Sequence, residues 1–340
     1  MHPQRRLFWF RRLALAGALL AAAVVVLGAW VRLTSAGLGC PDWPGCYGHI
    51  YPNAGQGDAQ AAFQFGKALH EMIHRYFAAT LVIIIFWLLV WVVRFRRDRD
   101  QPVIPVALLF VVVCLQGALG AWTVTMLLKP LIVTAHLLGG LCTLGLLWWL
   151  SLTPETRQPL GHEAALRKFA VVALAALVMQ IALGGWTSAN YAALACPDLP
   201  TCQHSWWPQM DFRNAFVLWR GLSINYEGGV LENPARVAIH FTHRLGAVLA
   251  GSILLSLGII AALSARSRSL ALAGRLLVLA VLLQISIGVA TVHWGFPLPL
   301  ATLHNAGAAF LVVSIATVLR ALWPAPTIGM VPLQRDDPAK

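Results

Sequence analysis

Four histidines stand at matching places in the long apolar stretches of this 340-residue chain, where ionisable side chains are costly and mark sites. They are His74, His136, His243 and His304, early in the second, fourth, sixth and eighth stretches. Alternate helices of an up-and-down array run in the same direction, so each half of the chain offers two imidazoles at similar depth. Such a pair suits the iron of a haem, which takes axial His ligands and sets a largely apolar macrocycle between facing helices. A bare zinc ion asks for three or four ligands at one point. A proton relay, or core histidines with satisfied hydrogen bonds, would use the same residues, and spacing alone leaves both readings open.

The halves differ beside the first histidine of each pair. Glu71 precedes His74 by three residues and shares its helix face, whereas His240 holds that place before His243. An unpaired carboxylate in a low-dielectric pocket can hold or deliver a proton. Its plainer role is to favour a helix N-terminus. The asymmetry predicts a catalytic site in the first half and an electron-carrying site in the second. Arg75 and Arg244 directly follow the two histidines and are candidate partners for haem propionates. Otherwise they snorkel to headgroups. Arg32 is a further candidate for the propionate role. His70 has no assigned role, His293 reads as interfacial, and His2, His49, His162 and His204 read as polar residues of loops or the terminus.

Two loops repeat a cysteine pair, Cys40-Pro-Asp-Trp-Pro-Gly-Cys46 and Cys196-Pro-Asp-Leu-Pro-Thr-Cys202. In an oxidising compartment each pair is either a structural disulfide or a redox-active dithiol. Cys114 and Cys142 read as small hydrophobes. Gln116, Gln180 and Gln284 each precede a glycine by four residues, and read as devices for close helix packing.

What must position these residues is a membrane scaffold. The chain is 59% hydrophobic and 11% charged, far from the roughly 25% charged residues of a soluble domain. Eight runs approach the roughly 20 apolar residues a span needs, at 13–31, 70–93, 103–128, 131–152, 169–187, 237–263, 270–294 and 300–323. The net charge of +12 falls in short basic clusters between them, which excludes a nucleic-acid-binding domain and reads as topology. With the N-terminus inside, only Arg32, Lys67, Arg75, Lys129, Arg213, Arg220, Arg236 and Arg244 of the 25 basic residues fall on the outer side. Loops 32–69 and 188–236 are then external, and the histidines lie near the outer face of a cell membrane with both termini cytoplasmic. The first run reads as a retained helix rather than a signal peptide.

The landmarks recur in order: Cys40 as Cys196, His74-Arg75 as His243-Arg244, Gln116 as Gln284, His136 as His304. With four spans each, the halves are parallel repeats. The expected fold is an all-α integral membrane protein of eight transmembrane helices, arranged as two tandem four-helix bundles. Its segments are a cytoplasmic N-terminus at 1–12, a bundle at 13–152, a cytoplasmic linker at 153–168, a bundle at 169–323 and a cytoplasmic tail at 324–340.

The stretch from Val31-Arg-Leu-Thr through Cys40-Pro-Asp-Trp-Pro-Gly-Cys46-Tyr-Gly48, with Glu71-x-x-His-Arg75, His136, His240-x-x-His-Arg244 and His304, resembles the haem A synthases of the CtaA family. The resemblance spans about 28–323. It implies an enzyme that oxidises the C8 methyl of haem O to a formyl group, by two hydroxylations and loss of water, giving haem A for terminal oxidases. It implies haem O as substrate between His74 and His136, Glu71 as an essential carboxylate, and haem b between His243 and His304. Cys40 and Cys46 match a pair found in part of the family. Implied partners are haem O synthase, oxidase assembly factors, a thiol-disulfide redox partner, the lipid bilayer and a further copy of the chain. The competing expectation is a di-haem cytochrome b-type electron carrier that does no chemistry on its haem.

Overall fold

In lipid every backbone N–H and C=O must be satisfied within its own segment, so apolar runs of this length become helices. The computed structural model describes residues 3–50, 59–98, 101–153, 163–264 and 267–323. Its helices are α1 (Pro3–Leu33), α2 (Ala59–Arg94), α3 (Val103–Thr125), α4 (Pro130–Ser151), α5 (Glu163–Ala189), the short α6 (Phe212–Ala215), α7 (Asn233–Ala262), α8 (Arg268–His293) and α9 (Leu298–Leu322). All but α6 are long and apolar enough to cross a membrane. Three helices start six or more residues before their apolar runs: α1 at Pro3, α2 at Ala59 and α5 at Glu163. Arg, Ala, Gln and Glu are good helix formers, and they carry each helix past its apolar limit. The tail at 324–340, most of the linker at 153–168, His2 and His162 lie outside the described residues.

The first four spans close a ring in which α1 packs on α2, α2 on α3, α3 on α4 and α4 on α1. Helices α5, α7, α8 and α9 close a second ring in the same order. The rings meet where α1 and α4 face α5 and α9. At this seam Trp148 Nε1 donates to Thr317 Oγ1 at 2.9 Å, and a Cβ at Gly145 would stand 3.2 Å from Val312. The internal repeat is thus a pair of four-helix bundles side by side.

Packing is not uniform along the bundles. A dry cluster including Leu81, Ile85, Leu88, Leu109, Leu144, Leu147, Leu257, Leu277 and Val318 fills the end away from the two long loops. The four histidines lie outside it, toward the loop end. Large apolar side chains such as Ile83, Trp87, Ile104, Leu108, Leu249 and Leu282 point outward. On a water-soluble protein they would be an aggregation surface; here they face acyl chains.

Candidate functional site

Each of the four imidazoles rests on a glycine of the preceding span. A Cβ added at Gly28 would stand 2.9 Å from Cε1 of His74, and one at Gly120 would stand 3.4 Å from Cε1 of His136. In the second ring the distances are 3.1 Å from Gly184 to Cε1 of His243 and 3.0 Å from Gly288 to Cε1 of His304. The imidazoles are half-buried. His136 lies within electrostatic reach of His74, and His243 within reach of His304.

Nδ1 of His74, of His136 and of His304 is buried without a hydrogen-bond partner. Nδ1 of His243 lies 3.1 Å from the side-chain nitrogen of Gln180. Buried polar atoms are normally satisfied; the Val24 and Gln116 main-chain carbonyls lie by the imidazoles of His74 and His136, and His304 Nε2 lies 3.4 Å from Gln284 Nε2. Among the described residues no group of three or more His, Cys, Asp or Glu could hold a bare metal ion. Paired imidazoles seated on glycines in an apolar bundle fit a prosthetic group that brings its own iron.

Both cysteine pairs are disulfides, Cys40–Cys46 and Cys196–Cys202. Each loop is closed by the aspartate of its Cys-Pro-Asp sequence. Asp42 accepts from the backbone N–H of Tyr47 at 2.6 Å and of Gly48 at 2.8 Å. Asp198 accepts from those of Gln203 at 2.7 Å and His204 at 3.1 Å, and from the Thr201 hydroxyl. The Gly48 and Tyr47 amides, with Arg75 nearby, hold the Asp42 carboxyl below the usual carboxylate range. The Thr201 hydroxyl, then the His204 and Gln203 amides, do the same for Asp198.

The arginines after the histidines clasp these loops. Arg75 Nη1 donates to the carbonyls of Asp42 at 3.0 Å, Pro44 at 3.3 Å and Gly45 at 2.5 Å. Arg244 donates to those of Asp198 and Thr201 at 2.8 Å and of Cys196 at 2.7 Å. The structure therefore places both expected propionate partners on the loops, one residue from each histidine. Glu71 is buried, takes Arg75 Nη2 at 2.6 Å, and accepts from the Cys40 backbone N–H at 2.9 Å. It is an engaged carboxylate, not an isolated one. In the second ring His240 meets Arg244 Nε at 3.3 Å.

The remaining sequence candidates fall elsewhere. Arg32 donates to the Ser188 carbonyl at 2.7 Å and lies over the Tyr191 ring, tying α1 to the end of α5. His70 is exposed and meets Trp30 edge-on, and His293 is exposed at the end of α8. Sequence reasoning missed Lys129, which is buried at the start of α4. Its ammonium bonds the Gly221 carbonyl and sits 3.5 Å from the centre of the Trp219 ring. A strap from the second long loop thus crosses the corner of the first bundle, where Tyr226 N–H also bonds the Leu127 carbonyl at 3.1 Å. A lysine bordered by two apolar runs was the available signal, and it reads equally well as a solvated charge.

The family model COX15-CtaA, described as cytochrome oxidase assembly protein, matches residues 11–316. A heme A synthase of Shewanella oneidensis is 40% identical over 94% of this chain and 97% of its own length. Heme A synthases of Rhizobium rhizogenes and Halalkalibacterium halodurans are 27% and 26% identical, over 84% and 90% of this chain and 82% and 93% of their own lengths. A match that runs through both rings and all four glycine-seated histidines leaves one assignment: the chain belongs to the COX15-CtaA family.

Proposed function

We propose that this chain is a haem A synthase, a membrane oxidoreductase that oxidises the C8 methyl of haem O to a formyl group and so yields haem A for terminal oxidases. The first bundle, 13–152, takes haem O as substrate between His74 and His136. The second, 169–323, holds haem b between His243 and His304. When bound, haem b supplies one-electron transfer beside the substrate site.

The observation that carries this reading is the inequality of two otherwise matching sites. Both have imidazole pairs seated on glycines, but only the first carries a carboxylate three residues before its first histidine. Glu71 holds or moves the proton there, and Arg75 and the Cys40 amide fix its two oxygens. Arg75 and Arg244 secure the disulfide loops against the histidine-bearing turns. The basic clusters support an orientation with both termini cytoplasmic and the sites near the outer face. The di-haem carrier reading uses all four histidines but gives Glu71 no task where the second bundle has His240.

The test is mass spectrometry of porphyrins from cells that supply haem O, with and without this chain. Haem A should form only with it. Glu71→Gln should cut haem A formation by about 10²–10⁴-fold, the range for losing a general acid-base group, while the purified chain keeps its haem. Wild-type haem A yield from Glu71→Gln would remove the carboxylate's role. Haem b as the sole pigment of the purified wild type would favour the carrier.

A further inference from the structure

Two of the four histidine-bearing turns are hydrogen-bonded to the preceding span by a glutamine, a third has a glutamine packed in the same place, and the fourth has none. Gln180 Nε2 on α5 donates to the main-chain oxygen of His243 at 3.0 Å. Gln284 Nε2 on α8 donates to that of His304 at 3.0 Å. In each case the residue three beyond the histidine is glycine. A Cβ at Gly246 would stand 2.4 Å from Gln180 Oε1, and one at Gly307 would stand 2.0 Å from Gln284 Oε1. Gln116 on α3 fills the same place beside His136, since a Cβ at Gly139 would stand 1.8 Å from its Nε2. The amide reaches the turn only because the glycine is there.

Around His74 both parts of this device are replaced. The residue four before its seating glycine, Gly28, is Val24, whose side chain has no hydrogen-bonding group. The residue three beyond His74 is Phe77, which is exposed. The glycine seat survives, as the 2.9 Å distance from Gly28 shows, but the amide tie does not. The main-chain carbonyl of Val24 lies by the His74 imidazole, yet that of Gln116 lies by His136 in the same way, so this contact does not distinguish the two.

We propose that His74 is the releasing ligand of the first bundle, detaching as haem O enters and haem A leaves, while Gln116, Gln180 and Gln284 act as positioning residues that hold the turns of His136, His243 and His304. This deepens the haem-ligand reading above and rests on it. Hydrogen bonds behind a metal ligand fix its orientation, and losing one commonly costs about 10–100-fold in affinity. A bundle that exchanges its haem each turnover is served by one weakly held ligand. A bundle that keeps its haem is served by none. The untied turn falls in the bundle that carries Glu71, which the reading above assigns to the substrate.

The full chain, purified with its haem in both bundles, is mixed with excess haem-scavenging globin and transfer is followed in the Soret region. Wild type should lose haem in two phases, the faster one absent from His136→Ala. Val24→Gln with Phe77→Gly, which installs the tie, should slow the fast phase by about 10–100-fold and leave the slow phase unchanged. Gln284→Leu should speed the slow phase by a similar factor and leave the fast phase unchanged. A single phase in wild type, or a fast phase unmoved in the double variant, overturns the proposal. Should the double variant fail to fold, an unchanged slow phase in Gln284→Leu overturns it equally. The underlying reading fails by a different sign: full haem content and an unaltered spectrum in both His74→Ala and His136→Ala.

Discussion

At the scale of single residues, the glycines do as much as the histidines. An imidazole needs room against a neighbouring helix, and the need for a residue without Cβ is greatest at Gly28, where a Cβ would stand 2.9 Å from His74 Cε1. Gly28→Ala should therefore displace the His74 ring, lowering haem content of the first bundle and destabilising it by about 1–3 kcal/mol, the usual cost of overpacking. Gly117→Ala is the control, because a Cβ there meets nothing within 4 Å. Absorption spectra and thermal unfolding of the two variants check the contrast, and equal effects would contradict the seating role. The histidines and Glu71 were legible in sequence because ionisable residues stand out in apolar runs and recur at a fixed shift. The glycine before each histidine was less legible, since glycine is common in membrane helices and Gly28 gains meaning only beside His74. Arg75 and Arg244 were visible as charges, but their carbonyl partners lie some 30–48 residues away, and no spacing rule encodes such contacts.

At the scale of elements, the cysteine loops and the histidine helices are one unit. The disulfide shapes the loop, the aspartate closes it, and the arginine fastens it to the turn that carries the histidine. The aspartates give this unit a pH dependence. Their carboxyls sit below the usual range when folded, so they stabilise the loops above the ordinary carboxylate pKa and lose that contribution as pH falls through the depressed folded value. Amide exchange at Tyr47, Gly48, Gln203 and His204 should thus stay protected at neutral pH, after correction for intrinsic rates, and lose protection in acid. Asp42→Asn should remove protection at Tyr47 and Gly48 at every pH while leaving Gln203 and His204 protected. Protection at Tyr47 and Gly48 unchanged in Asp42→Asn would show that the disulfide alone orders the loop. The apolar body of each span was legible, and its start less so. Where the helices start earlier, helix-forming residues extend them beyond the apolar limit on which the reading relied.

For the whole molecule, two rings share one seam and one dry core, and the candidate sites lie at the end where that core stops. The repeat made the two-bundle plan legible. It gave no sign of the strap from 219 to 226, which joins the second loop to the corner of the first bundle through Lys129 and Leu127. Both histidine pairs and the strap belong to one end of the molecule. The most direct measurement is the haem-to-chain ratio of the purified protein and of its single His→Ala variants, with each haem identified by extraction. Two haems per chain are predicted for wild type. His243→Ala or His304→Ala should remove haem b and spare its neighbour, and His136→Ala should do the reverse. One haem per chain, or loss of the same haem from all three variants, would contradict a two-site enzyme.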